Sequence, residues 1–222
     1  MNTNHAECVA IPSHNHIVQV CQNVTSQAEI LTRYIKEGLL NNEGIIVIAR
    51  PSLRKKVLSK LDALGFDNQT VKNQGQVRFF DAEFLLSNIL IDGTIEEQAF
   101  RNLVEIPVQV AQSKFGKVRA FGEMVDILWQ RDLQDMAIQL EDLWEDLCTN
   151  QGLRFLCTYL LDNLDPNDYD SALEKIYKHH KYLMPDLFYS ELGESLHDAF
   201  GEAWNRVMSK LAENQQVLQT SY

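Results

Sequence analysis

The chain predicts an α/β fold, a three-layer and mainly parallel sheet with helices on both faces, plus a C-terminal helical extension. Short β-branched runs alternate with amphipathic stretches of helical length from His16 to Tyr159, the pattern of β-α-β units. The run Gly44-Ile45-Ile46-Val47-Ile48-Ala49 has no polar alternation, as a strand covered on both faces requires. Right-handed crossovers should connect the neighbouring strands.

The elements follow in order. Residues 1–13 are polar and read as a flexible lead-in. HIVQVC, His16 to Cys21, is a short buried strand. From Ser26 to Leu40 the apolar positions Ala28, Leu31, Tyr34, Ile35 and Leu39 recur at helical spacing, with Thr25 or Ser26 as cap and Gly38 near the end. After the strand 44–49, Pro51-Ser52 opens a second helix with Leu53, Val57, Leu58, Leu61 and Leu64 on one face, and Gly65 stops it. Gln76 to Asp81 is a third strand, followed by a short helix from Ala82 to Leu90. Asp92-Gly93 marks a turn, and Thr94-x-x-Glu97 reads as the capping box of a long helix to about Lys114. Pro107 predicts a kink or a split within it.

Val118-Arg119-Ala120-Phe121-Gly122 is an apolar strand with an arginine inside it, and Glu123 and Met124 stand where the next helix begins. That helix region is followed by another from Leu133 to Cys148, apolar at Met136, Ala137, Leu140, Leu143, Trp144 and Leu147. Gly152 then precedes a strand from Leu153 to Tyr159. Beyond Leu160 a turn-rich loop leads into sequence that reads as helical, with no further strand. Leu192, Leu196, Phe200, Trp204, Val207 and Leu211 recur three or four apart, so the apolar face of this last helix must dock on the domain or on another chain.

Charge and composition narrow the partners. A formal net charge of −11, with neither end basic, argues against nucleic acid. The apolar runs are strand-sized, so no membrane span is expected. The first 13 residues lack the basic start and apolar centre of a signal peptide. Cys8, Cys21, Cys148 and Cys157 show no C-x-x-C spacing and read as reduced, which points to the cytoplasm.

Motifs that would name a reaction are missing. The stretch after the first strand, Gln22 to Gln27, has neither glycine nor lysine, and Gly116-Lys117 runs into a strand rather than a helix. The phosphate loop G-x-x-x-x-G-K-[ST] is therefore absent, as is G-x-G-x-x-G. No G-x-S-x-G elbow or H-E-x-x-H pair occurs. His14-x-His16 and His179-His180 are the close histidine pairs, and their spacing specifies no metal. What remains is Arg119 with Glu123, read either as an ion pair tying a strand end to the next helix or as a polar clamp in an apolar pocket. Met124, Trp129, Trp144 and Tyr159 could line that pocket, and each also fits core packing.

Several segments in order resemble the MEDS domain, a sensory domain named after methanogens, methylotrophs and the dichloromethane regulator DcmR. They are His16-Ile17-Val18-Gln19, Tyr34-Ile35-Lys36-Glu37-Gly38-Leu39, Glu43 to Ala49, Gly75-Gln76, Val118 to Met124 with Leu128-Trp129, Leu140-Glu141-x-Leu143-Trp144, Leu156-Cys157-Thr158-Tyr159 and His180-x-x-x-x-Pro185. The resemblance implies a RecA/KaiC-like core without its phosphate loop, serving as a signal-input module for small molecules that include hydrocarbon derivatives. Two departures stand out: no output domain is recognisable, and Tyr177 stands where the family pattern suggests a cysteine before His180.

Together these readings lead to a non-enzymatic sensory module occupying residues 14–187, with an amphipathic helix over 188–222. The expected ligand-binding residues are His16, Arg119, Glu123, Met124, Tyr159 and His180, with no catalytic residue, metal or cofactor. The expected partners are a small, hydrophobic organic ligand and a signalling protein, with a homodimer as one arrangement. A degenerate ATPase-like nucleotide binder and a pure protein-interaction module are the alternatives.

Overall fold

The structure, a computed structural model, describes residues 15–21, 23–67, 75–161, 166–179, 183–184 and positions 202, 203, 206, 207 and 209. Its strands are β1 (His16–Cys21), β2 (Gly44–Ala49), β3 (Val77–Asp81), the hairpin pair β4 (Leu90–Ile91) and β5 (Thr94–Ile95), β6 (Val118–Gly122), β7 (Arg154–Leu160) and β8 (Leu183–Met184). The helices are α1 (Val24–Leu40), α2 (Pro51–Ala63), α3 (Ala82–Ile89), α4 (Glu97–Phe100), α5 (Ile106–Phe115), α6 (Met124–Gln130), α7 (Gln134–Gln151) and α8 (Tyr169–His179). The main sheet has the order β3-β2-β6-β7-β1-β8, and every neighbouring pair in it is parallel.

Strand alternation divides the core into two layers. Ile17, Ile45, Val47, Phe121 and Leu156 face α1 and α2, where Leu31, Ile35, Leu53, Val57 and Leu61 meet them. Val18, Val20, Ile46, Ile48, Ala120, Phe155 and Cys157 face the other side, packed by α3 and α5 to α8. Leu53, Val57 and Leu61 are at most 1% exposed, and burying such side chains contributes about 1.5–3 kcal/mol each. The three-layer α/β architecture is therefore the one its alternating runs predict.

The connections create two places where the chain turns in opposite directions. From β2 it proceeds outward to β3, whereas from β6 it returns the other way to β7. That divergence is a topological switch point between the carboxyl ends of β2 and β6, the kind of place where open parallel sheets form a ligand crevice (the crevice). Between β7 and β1 the connections again run in opposite directions but cross, since β1 leads back past β7 to β2 and β7 leads past β1 to β8.

Local chemistry departs from the sequence reading at three points and gives the expected interruption at Pro107 its form. The cap of α1 is Asn23, whose Oδ1 accepts from the N–H groups of Thr25 (2.9 Å) and Ser26 (3.0 Å), rather than Thr25 or Ser26 itself. Thr94 belongs to a hairpin closed by Asp92 (φ 50°) and Gly93 (φ 78°), and the cap of α4 is Glu96, which accepts from the Ala99 N–H. The effect of Pro107 is a π-helical turn, Arg101–Glu105, directly ahead of α5. Proline donates no N–H and its ring crowds the carbonyl four residues back, so a widened turn relieves both problems. Finally, the two-residue β8 extends the sheet beside β1, pairing Val18 with Leu183 and Gln19 with Met184, where no further strand was expected.

The tail packs on its own chain at the described positions. Ala203 and Val207 are buried in the same core as Tyr169, Leu173 and Ile176, and Arg206 forms a two-pronged ion pair with Asp170 at 2.8 and 2.9 Å. Glu202 and Ser209 are described too, both helical and exposed, and the remaining residues expected to form the 188–222 helix lie outside the described residues.

Candidate functional site

Arg119 and Glu123 are not partners. Arg119 is the second residue of β6, in register with Ile45 and Arg154 near the amino ends of their strands. It is fully buried and reaches under α1. There its Nε donates to Glu43 Oε2 (2.5 Å), and its Nη1 donates to the Tyr34 carbonyl (2.8 Å) and to Glu37 Oε2 (3.2 Å). The guanidinium also lies over the Tyr34 ring at 4.7 Å. Gly38 makes room for it, because a Cβ there would sit 2.8 Å from Arg119 Cδ. Burial lowers the Arg119 pKa, yet Glu43, Tyr34 and Glu37 together hold it above its ordinary value. The residue thus ties α1 to the start of β2, at the end of the sheet away from the crevice.

Glu123 is at the crevice, and its partner is Arg50. The Arg50 backbone N–H donates to Glu123 Oε2 (2.6 Å) while Nε donates to Oε1 (2.7 Å). Nη2 stands 2.7 Å from the same Oε1 and 3.7 Å from Asp126 Oδ2. Glu123 follows β6 and Arg50 follows β2, so this pair bridges the two strand ends between which the connections diverge. Asp126, one turn into α6 and wholly buried, accepts from the Leu160 N–H at the end of β7 (2.8 Å) and from Gln130 Nε2 (2.9 Å). Part-burial lowers the Arg50 pKa, but Glu123 and then Asp126 and Glu83 raise it above its usual value. Each carboxylate oxygen of Glu123 is thus engaged by Arg50.

His16 and Tyr159 come together through a residue not predicted for the site, Glu141 on α7. Its Oε1 accepts from the Tyr159 hydroxyl (3.0 Å) and the Cys157 thiol (3.1 Å). Its Oε2 lies 3.0 Å from His16 Nε2, off the line of an ideal hydrogen bond. His16 Nδ1 is 3.0 Å from Glu145 Oε2, one turn further along α7. Burial pulls the imidazole pKa down, but Glu141 and then Glu145 outweigh it and set it above the usual value. Burial and the Glu141 charge push the Tyr159 hydroxyl and the Cys157 thiol well up, so both stay protonated donors.

Met124 is fully buried at the start of α6, in the layer that also holds Tyr159, and Trp129 packs edge-on against Tyr159 at 5.3 Å. His180, and the side chain of Tyr177 that stands where the family pattern suggests a cysteine, lie outside the described residues. Among the described residues no group of three metal-ligating side chains gathers, and no helix is long and apolar enough to cross a membrane. A cavity of ≈ 90 Å³ lies elsewhere, between the π turn and α7, lined by Phe100, Arg101, Glu105, Leu143, Leu147 and Gln151 among others.

Glu145 and three other contributors escaped the sequence reading, and those three left a trace. Arg50 is a charge placed directly after an apolar strand and before Pro51. Asp126 falls three residues after Glu123, within a helix whose first five residues are all buried. Glu141 sits one turn from Ala137 and three residues before Trp144, on the inward face of α7. A carboxylate on such a face signals a buried polar network.

The family model described as MEDS, methanogen/methylotroph, DcmR sensory domain, matches residues 15–181. The chain belongs to the MEDS family. The matched stretch runs from the residue before β1 to just beyond α8, so the MEDS unit contains Arg50, Glu123, Asp126, Glu141, His16 and Tyr159. Membership places the chain among sensory domains, a signal-input role. No curated protein matches the chain.

Proposed function

We propose that this MEDS protein is a non-enzymatic signal-input module that binds a small organic molecule at the carboxyl edge of its sheet and passes the event to a partner protein. The observation that carries the reading is the Arg50–Glu123 pair across the β2/β6 crevice. Open parallel sheets hold ligands at such points of divergence. The usual means of holding phosphate is replaced here: Asn23 itself occupies the first amides of α1, and the loop after β1 carries no lysine. What the crevice offers instead is a buried carboxylate covered by one arginine whose side chain is 28% exposed. A ligand that donates to Glu123 while its apolar body rests near Met124 would take the place of the Arg50 side chain. In this reading residues 14–187 sense, and the segment from 188 onward, docked through Ala203 and Val207, offers its outer surface to the partner.

A thermal-shift screen of small organic molecules and nucleotides, run on the wild type and on Glu123→Gln, tests the proposal. A stabilising compound whose effect disappears in Glu123→Gln is expected. Hits that stabilise both proteins equally would place the binding site elsewhere, and nucleotide hits that require magnesium would favour the ATPase-like alternative.

A further inference from the structure

Glu141 joins the two ends of the sheet. His16 opens β1 in register with Phe155, while Tyr159 lies four residues further along β7, about 13 Å away along an extended strand. Both nevertheless use one carboxylate, Tyr159 on Oε1 and His16 on Oε2. His16 is held from its other side by Glu145. A neutral imidazole carries one N–H and one lone pair, so it can satisfy only one of two carboxylates that face its two nitrogens. The geometry therefore assigns one extra proton to the His16–Glu141–Glu145 group.

Among the described residues, the titratable groups around that proton are few. α7 contributes Glu141, Glu145 and the Cys148 thiol, β7 contributes Cys157 and Tyr159, and α6 contributes Asp126, whose charge acts on Cys157 and Tyr159. On the same face of β1 itself, Val18 and Val20 are apolar. The path onward to the crevice is short. The residue after Tyr159, Leu160, gives its N–H to Asp126, which stands 3.7 Å from Arg50.

We propose that the extra proton of the His16–Glu141–Glu145 group is linked to occupancy of the carboxyl-edge site, with Tyr159 as the positioning residue that couples them; this rests on the reading of that edge as the ligand site. A ligand that displaces Arg50 releases Asp126 and the end of β7, which draws the Tyr159 hydroxyl from Glu141. The carboxylate then becomes more basic and the group holds its proton to higher pH. Linkage is reciprocal, so the same ligand binds more tightly as the pH falls through that titration.

The test uses the full-length, ligand-free protein. The His16 ring resonances are followed against pH by NMR and assigned by their loss in His16→Gln. Tyr159→Phe is expected to raise the midpoint by about one unit, the size of one hydrogen bond to a carboxylate. Arg50→Gln is expected to shift it as well, and that shift should shrink when Tyr159→Phe is also present. Glu141→Gln should lower the midpoint, an independent check if Tyr159→Phe does not fold. An unchanged midpoint in Tyr159→Phe, or an Arg50→Gln shift that is the same with and without the Tyr159 hydroxyl, overturns the coupling. Because no ligand is present, either result is separate from whether a screened compound depends on Glu123.

Discussion

The Arg50 guanidinium lies along the Glu123 carboxylate, with Nε and Nη2 both 2.7 Å from Oε1, and the Arg50 backbone N–H closes on Oε2 at 2.6 Å. Side chain and main chain of one residue thus grip both oxygens of a carboxylate that is 1% exposed. The strand ends of β2 and β6 are pinned together by this contact.

Removing the arginine should therefore cost stability beyond that of an ordinary surface substitution. Arg50→Ala leaves Glu123 buried without its guanidinium, and a loss of about 3 kcal/mol, the low end for a buried pair because the Arg50 side chain is 28% exposed, is expected in urea unfolding at neutral pH. Glu123→Gln, which keeps the shape and removes the charge, should cost less. Equal and negligible effects in both variants would show that the pair does not hold the crevice closed.

The buried Arg119 makes an unusual prediction for a helix glycine. Alanine is favoured over glycine within helices by about 1 kcal/mol, yet Gly38→Ala would put a Cβ within 2.9 Å of Arg119 Nε and Ile45 Cδ1. Displacing a packed side chain costs about 1–3 kcal/mol, so the variant should be less stable than the wild type. A raised unfolding midpoint would mean that Arg119 does not pass over Gly38 in solution.

His16 gives the stability a pH dependence with a defined sign. Its pKa in the folded chain is raised above the ordinary imidazole value of about 6.5 that the unfolded chain keeps. The contribution is then fully present below about pH 6.5 and fades as pH rises through the folded value. The stability difference between the wild type and His16→Gln, measured by urea unfolding at a series of pH values, should shrink on going alkaline. A difference that grows instead would reverse the assignment.

The tail offers a fourth check. Val207→Ala should cost about 2 kcal/mol, since Val207 is 1% exposed within the main core. Arg206→Ala should leave the unfolding midpoint nearly unchanged, because its ion pair with Asp170 lies at the surface. If Val207→Ala instead left stability intact and altered the molecular mass, the segment would be serving an intermolecular contact.

The layers of the fold were legible because burial writes itself into runs of apolar residues: β2 spans Gly44–Ala49 and all six positions are buried. β8 was not, since two residues carry no periodicity and depend on β1 for pairing. The charged pair misled for a geometrical reason. Arg119 and Glu123 are four residues apart, but a strand carries such residues about 13 Å apart, so nearness in sequence separated them in space. Their true partners, Glu43 and Arg50, lie 76 and 73 residues away in the chain, where no local pattern connects them. The MEDS resemblance was legible in the ordered segments, whereas the role of Glu141 within one of them required the sheet to bring His16 and Tyr159 to the same side chain.

The Arg50 side chain also acts as a competitor that never leaves. Being tethered, it meets Glu123 at an effective concentration of the order of millimolar or higher, so any free molecule seeking that carboxylate must displace it at the same moment. On the proposed reading of the site, a compound offering a single polar contact would lose that contest, and one that adds apolar burial near Met124 would win it. If the carboxyl-edge site proposed above binds a ligand, the Arg50 side chain therefore sets a threshold of affinity that a ligand has to exceed before it reaches Glu123.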